Sequence, residues 1–182
     1  MLILASRSPR RSELLTSAGI SFEVLAADID ETPHPNEAPA TYVERLAIDK
    51  ARAVFALRPD ARVLGADTTV TIDGQILGKP EDEADAQRML RLLNGRAHDV
   101  HTGVAVVSTT GVRSAVATTR VWFDLMTDKD ISWYVATGEP VDCAGAYAIQ
   151  GFASRFIPRI DGSYSNVVGL PVALVSSILK AG

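Results

Sequence analysis

The segment Ala5-Ser6-Arg7-Ser8-Pro9-Arg10-Arg11 crowds two hydroxyls and three guanidinium groups into the point where a short apolar run gives way to a helix. Free N–H groups and the positive end of the macrodipole at a helix start attract an anion, and arginine forks hold phosphate oxygens in pairs. The segment is phosphate-binding equipment, or else a capped helix with a solvated basic turn. Local sequence allows both.

Lys50 interrupts the apolar stripe of a second helix, four residues after Leu46 and seven after Val43. Its ammonium group must snorkel to water or meet an anion. Asp67 interrupts the otherwise apolar run Val63-Leu64-Gly65-Ala66-Asp67-Thr68-Thr69-Val70. A carboxylate in a buried strand is costly without a partner, so Asp67 faces a cation, a metal or a hydrogen-bond network, a structural salt bridge among them. Gly78-Lys79-Pro80 sets another lysine at a strand-to-helix junction, and Asp30-Glu31 adds carboxylates before a proline-rich stretch. Oxygen donors of this kind suit Mg²⁺ or Mn²⁺ held together with phosphates, although a solvated acidic turn has the same composition. His34, His98 and His101 lack zinc-like spacing and read as structural, and Cys143 reads as a small buried residue.

The elements that must carry these groups are legible from periodicity and punctuation. Residues 1–5 read as a buried strand, followed by a helix opened by Ser8-Pro9 and stopped at Gly19. Thr32 to Pro39 reads as a mobile surface loop, and Thr41-x-x-Glu44 as a capping box for a helix ending near Leu57. Residues 63–72 and 75–77 form a hairpin about Asp73-Gly74. Pro80 opens a helix that ends at Asn94-Gly95; strands follow over 100–108 and 112–125. Thr127 caps a helix ending at Gly138, and Pro171 opens a last one to Lys180. Trp122 and Trp133 read as core. Hairpins mixed with crossover helices predict an α/β fold with a mixed sheet flanked by helices.

With 182 residues, 47% apolar and 22% charged, the chain suits one α/β domain or two small lobes and folds unaided. A net charge of −4 argues against a general nucleic-acid binder, so an anion must be gripped locally. The lone cysteine excludes an internal disulfide framework. The apolar run at residues 2–5 is too short for a signal-peptide core, and no stretch is long enough to span a membrane. A cytoplasmic protein is the expectation.

These pieces, in this order, resemble the Maf family of nucleotide pyrophosphatases from Leu4 to Pro171. The family's Ala-Ser-x-Ser-Pro-Arg-Arg is met by residues 5–11, its acidic loop residue by Glu31, its helix lysine by Lys50, its Gly-Ala-Asp-Thr by residues 65–68 and its Lys-Pro by Lys79-Pro80. Ala-Gly-Ala-Tyr-x-Ile-Gln-Gly falls on residues 144–151 and Gly-Ser-Tyr-Ser-Asn-Val-Val-Gly-Leu-Pro on 162–171. Cys143, where the family often has lysine, and Ala148, where it often has glycine, depart from the pattern.

The resemblance implies a single Maf-like domain over residues 1–182, with an elongated mixed sheet and two lobes around a cleft like that of the inosine triphosphate pyrophosphatases. It implies hydrolysis of a nucleoside triphosphate to the monophosphate and pyrophosphate, a divalent cation and a homodimer. Asp67 would be proton acceptor, Ser6, Arg11, Lys50 and Lys79 would bind substrate, and Glu31 with Asp67 would hold the metal. Arg10, Thr68 and Gln150 match the positions linked to substrate choice; threonine and glutamine there are similar to the dTTP and UTP branch. A carboxamide both donates to and accepts from a pyrimidine imide, whereas a carboxylate would suit a guanine edge. The alternatives are a 7-methyl-GTP pyrophosphatase and a non-catalytic nucleotide-binding regulator of septum formation.

Overall fold

The computed structural model describes residues 1–181. Its strands are β1 (Leu2–Leu4), β2 (Glu23–Val24), β3 (Arg62–Ile72), β4 (Gln75–Leu77), β5 (Ala97–Ser108), β6 (Gly111–Trp122) and β7 (Arg159–Asp161). The helices are α1 (Pro9–Ser17), α2 (Pro39–Leu57), α3 (Glu83–Leu93), α4 (Asp128–Ala136), α5 (Tyr164–Val168) and α6 (Val172–Lys180), with 3₁₀ turns between residues 139 and 156. The strands form one mixed sheet in the order β2-β1-β3-β5-β6-β7, with β4 paired to β3. β1 runs parallel to β2 and β3, in register Leu2↔Arg62 and Leu4↔Leu64, whereas β3–β4 and β6–β7 are antiparallel.

Two compact units divide the chain. The first comprises Met1–Thr68, His101–Ala117 and the segment from Gly169 onward; the second comprises Thr69–Val100 and Thr118–Val168. In the first unit, alternation along β3 sends Leu64 and Ala66 into a cluster with Leu4, Leu15 of α1 and Val175 of α6, while Val63 packs with Ile3, Ala51 and Val54 of α2. A buried run with no polar alternation is what a strand covered by helices on both faces requires. Gly65 lies on the α2 side: a Cβ there would land on the Ala47 carbonyl oxygen and come within 2.9 Å of the Ala51 nitrogen. Gly103 of β5 sits equally close to the Val43 carbonyl. α2 can therefore lie directly on the sheet only over these two glycines. The second unit has its own core, in which Leu90 and Leu93 of α3 and Ile131 and Tyr134 of α4 meet Val70, Val100 and Val121.

Several expected boundaries move. α2 begins at Pro39 after Ala38, with no side-chain cap, so Thr41 and Glu44 form no capping box; proline at the first helical position starts the turn earlier. α3 begins at Glu83 rather than Pro80, because the Asp82 carboxylate accepts from Asp85 N–H at 2.7 Å and caps the helix there. Thr127 caps α4 in a full capping box with Asp130. The loop at Thr32 to Pro39 is tied to α2, since Arg45 grips Glu37 through two bonds of 2.7 Å and reaches the Thr32 carbonyl at 3.2 Å. Trp133 is not core: it is 40% exposed, stacked edge-on with Phe152 at 5.8 Å and covered by Arg155. Trp122 is half-buried beneath Arg159, while Cys143 and His98 are buried.

Candidate active site

β1 stops at Leu4, and Ala5 N–H makes its last bond to the Leu64 carbonyl at 2.8 Å. β3 continues past it, leaving Asp67 and Thr68 beyond the carboxyl end of β1 where α1 begins. Alternation turns these neighbours to opposite faces. Asp67 shares the face of Val63 and Gly65, against α2, and its Oδ1 accepts from Lys50 Nζ at 2.6 Å. The same ammonium lies 2.9 Å from Glu31 Oε1, so one lysine bridges two carboxylates. The Asp67 and Lys50 side chains are only 12% and 14% exposed, against 55% for Glu31. Lys50 thus meets anions instead of snorkelling away. Tyr42 of α2 sets the position of Glu31 by donating its hydroxyl to the Glu31 carbonyl at 2.9 Å.

On the other face, Thr68 Oγ1 lies 2.9 Å from Thr102 Oγ1 and accepts from Arg11 Nη2 at 3.1 Å. Arg11 also donates through Nη1 to Ser6 Oγ at 3.1 Å and through Nε to the Gly169 carbonyl at 2.8 Å. At least three of its five N–H groups are engaged inside the protein, which fixes the plane of the fork. Ser6 Oγ accepts from Ser8 N–H at 3.2 Å, so Ser6, not the expected Ser8, shapes the turn into α1. Arg10 stands beside Arg11 and is half-buried. Arg7 is exposed, paired with Asp28 at 3.0 Å.

Burial raises the Asp67 carboxyl above its ordinary value; Lys50 and then Arg11 oppose the rise, and Glu31 adds to it. Burial likewise lowers the Arg11 guanidinium, against the pull of Asp67. Acid–base groups are found in such surroundings, where desolvation raises the proton affinity of a buried carboxylate amid cations.

The structure brings Ser6, Arg10, Arg11, Glu31, Lys50, Asp67 and Thr68 together in the first unit. Lys79 and Gln150 belong to the second. Lys79 is exposed there and reaches Asp142 at 3.4 Å. The Gly78 carbonyl accepts from Gly145 N–H at 3.0 Å, which joins the Gly-Lys-Pro turn to the Ala-Gly-Ala-Tyr segment. A pocket of about 300 Å³ lined by Pro80, Ala86, Val135 and Pro140 lies in the same unit, and none of the expected site residues lines it. Thr102, Tyr42 and the Gly169 carbonyl were not legible as site components: a backbone carbonyl has no sequence signal, and the two side chains differ in nothing from other helix and strand residues.

Among the described residues no group of three or more His, Cys, Asp or Glu side chains could hold a metal alone, and no helix is long and apolar enough to cross a membrane. Two carboxylates meeting around one cation are nonetheless a hard-oxygen donor pair, the number that Mg²⁺ takes from proteins when phosphate oxygens complete its shell.

The sequence profile described as Maf-like protein matches residues 1–182. The dTTP/UTP pyrophosphatase of Geobacter sulfurreducens is 54% identical over 181 residues, covering 98% of this chain and 95% of that protein. The dTTP/UTP pyrophosphatase of Myxococcus xanthus is 51% identical over 180 residues, covering 99% and 91%. The structure of the Staphylococcus aureus Ham1 protein matches 99% of this chain and 98% of its own with a TM-score of 0.59 at 12% identity, a likeness that shows the fold alone. The profile spans the whole sequence and relatives share half of its residues: the chain belongs to the Maf family.

Proposed function

We propose that this chain is a nucleoside triphosphate pyrophosphatase acting on dTTP and UTP, releasing the monophosphate and pyrophosphate. The observation that carries the reading is Asp67, a buried carboxylate with raised proton affinity held at 2.6 Å from Lys50. A protein that only bound the anion would have no use for a carboxylate placed among its anion-binding cations. The relatives' common name supplies the substrate class.

In this reading the triphosphate lies at the start of α1, where Ser6 and the outer N–H groups of Arg11 meet its oxygens and Lys50 contributes charge; Lys79 is kept as a substrate-binding residue on the strength of the family's Lys-Pro motif. Lys50 occupies Oδ1 of Asp67, so a water is held by Oδ2. As that water attacks the α-phosphorus its proton passes to Asp67, an oxygen–phosphorus bond forms, and the bond to the β-phosphate oxygen breaks. Glu31 and Asp67 would hold Mg²⁺ or Mn²⁺ jointly with phosphate oxygens, and the ion would supply neutralising charge to the leaving pyrophosphate. Arg10, Thr68 and Gln150 select the base. Cytoplasmic operation fits the single buried cysteine, and a homodimer fits the exposed Trp133–Phe152 pair, aromatic surface of the kind enriched at interfaces.

The test is pyrophosphate release from dTTP, UTP, CTP, GTP and 7-methyl-GTP, with Mg²⁺ or Mn²⁺ and after chelation. Selective cleavage of dTTP and UTP that chelation stops is expected. Release from none of them would leave a nucleotide-binding regulator, and preference for 7-methyl-GTP would reassign the base site.

Lys50→Gln gives a second prediction. The Lys50 charge is the largest influence holding the Asp67 carboxyl down, so its loss moves the acid limb of the kcat/KM profile to higher pH and lowers the plateau about 100-fold. An acid limb that stays in place would show that the titrating group is not Asp67.

A further inference from the structure

Gln150 is exposed at the tip of a tight turn in which Gly151 N–H donates to the Ala148 carbonyl at 3.1 Å. Such a turn wanders unless its ends are held, and both ends here are fastened to one pair of side chains. At the entry, Ala148 N–H donates to the phenolic oxygen of Tyr134 at 3.1 Å. The Tyr134 hydroxyl in turn donates to Glu139 Oε1 at 2.7 Å. At the exit, Glu139 Oε2 accepts from Phe152 N–H at 2.9 Å, and Oε1 from Ala153 N–H at 3.4 Å. The carboxylate is seated so closely on the turn that a Cβ at residue 151 would fall on Oε2 and displace it. Tyr134 is fully buried, so its hydroxyl has no water to turn to; burial and then the Glu139 bond keep its proton on well above the ordinary phenol range.

We infer that Tyr134 and Glu139 are positioning residues for base selection: they form a clamp that fixes the two ends of the Ala148–Gly151 turn and thereby aims the Gln150 amide. The inference rests on the reading of Gln150 as the group that meets the base. Both residues and the turn amides they hold belong to the second unit, so the clamp acts on which nucleotide is accepted and not on the rate of bond cleavage. Glu139→Gln keeps the shape but places an N–H where an acceptor is needed, setting a donor against either the Tyr134 hydroxyl or the Phe152 amide. Tyr134→Phe removes one oxygen, freeing the turn's entry and leaving Ala148 N–H buried without its partner.

The experiment compares kcat and KM for UTP and CTP in the parent, Gln150→Ala, Glu139→Gln and the double variant, reading the ratio of kcat/KM values. Gln150→Ala and Glu139→Gln should each reduce the preference for UTP about tenfold, and Glu139→Gln should do so through KM with kcat within about twofold of the parent. The double variant should lose no more than Gln150→Ala alone, because the clamp has nothing left to aim. If Gln150→Ala keeps the parent ratio, the reading of Gln150 fails and the clamp's role falls with it. If Gln150→Ala lowers the ratio while Glu139→Gln does not, or the two losses add, Gln150 stands and the clamp is overturned. Should Glu139→Gln fail to fold, Tyr134→Phe carries the same comparison with the same outcomes.

Discussion

Asp67→Asn should lower turnover about 10³-fold while the protein stays folded, with a thermal midpoint at neutral pH equal to or above the parent's. The lost rate follows from removing the proposed proton acceptor while keeping its shape. The stability follows from the cause of the carboxyl's shift. Burial lifts its pKa above the ordinary 3.8 and outweighs Lys50 and Arg11, so the folded state holds the proton more tightly than the unfolded chain. Stability from that preference is fully present below 3.8 and lost as pH rises through the folded pKa, so at neutral pH the ionised Asp67 is a net cost to the fold. Asparagine removes the cost, and Lys50 keeps Glu31 as a partner at 2.9 Å, so no buried charge is orphaned. Calorimetry from pH 4 to 8 beside steady-state kinetics checks both halves. Near-parental turnover would end the assignment of Asp67 as base; a midpoint well below the parent's would show that the ion pair dominates over burial.

Gly65→Ala carries the largest expected effect on stability. The added methyl meets backbone, not a flexible side-chain end: the Ala47 carbonyl and the Ala51 amide of α2. Helix and strand must part, and overpacking of this kind costs about 3 kcal/mol or more, a large share of the roughly 5–15 kcal/mol that holds a domain together. Lys50 lies between those two alanines, so the displacement also draws its ammonium away from Asp67. Chemical denaturation should show the loss directly, and the surviving folded fraction should have reduced kcat. A parental midpoint would mean that α2 does not rest on β3 at this point.

The residues of the candidate site were legible in the sequence because each breaks a local rule. Lys50 stands on an apolar helix stripe and Asp67 in an apolar strand, and the structure pairs the two misfits with each other. Ser6 and Arg11 were marked by hydroxyls and guanidinium groups gathered at a helix start. The long elements were legible for the same reason that β3 is, since many buried residues repeat one pattern. β2 and β7, at two and three residues, are too short to show a period, and their pairing is decided by chain segments far away. The start of α3 was misplaced because Pro80 and Asp82 are both good openers and only the observed bond from Asp85 chooses between them. Trp133 was misread because size and hydrophobicity predict burial, whereas its ring lies at the surface under Arg155. Glu139 was invisible because its partners are two backbone amides and one hydroxyl that only the fold brings to it.

The bond from Arg11 to the Gly169 carbonyl spans 158 positions of sequence. The turn at the start of α1 therefore takes its last anchor from a segment remote in sequence, and its arginine is fixed only once that segment has folded against it. Leu170 and Val175, from the same remote segment, fill the core around Leu4 and Leu15. Contacts of such long range also make folding slow relative to helical bundles of similar size.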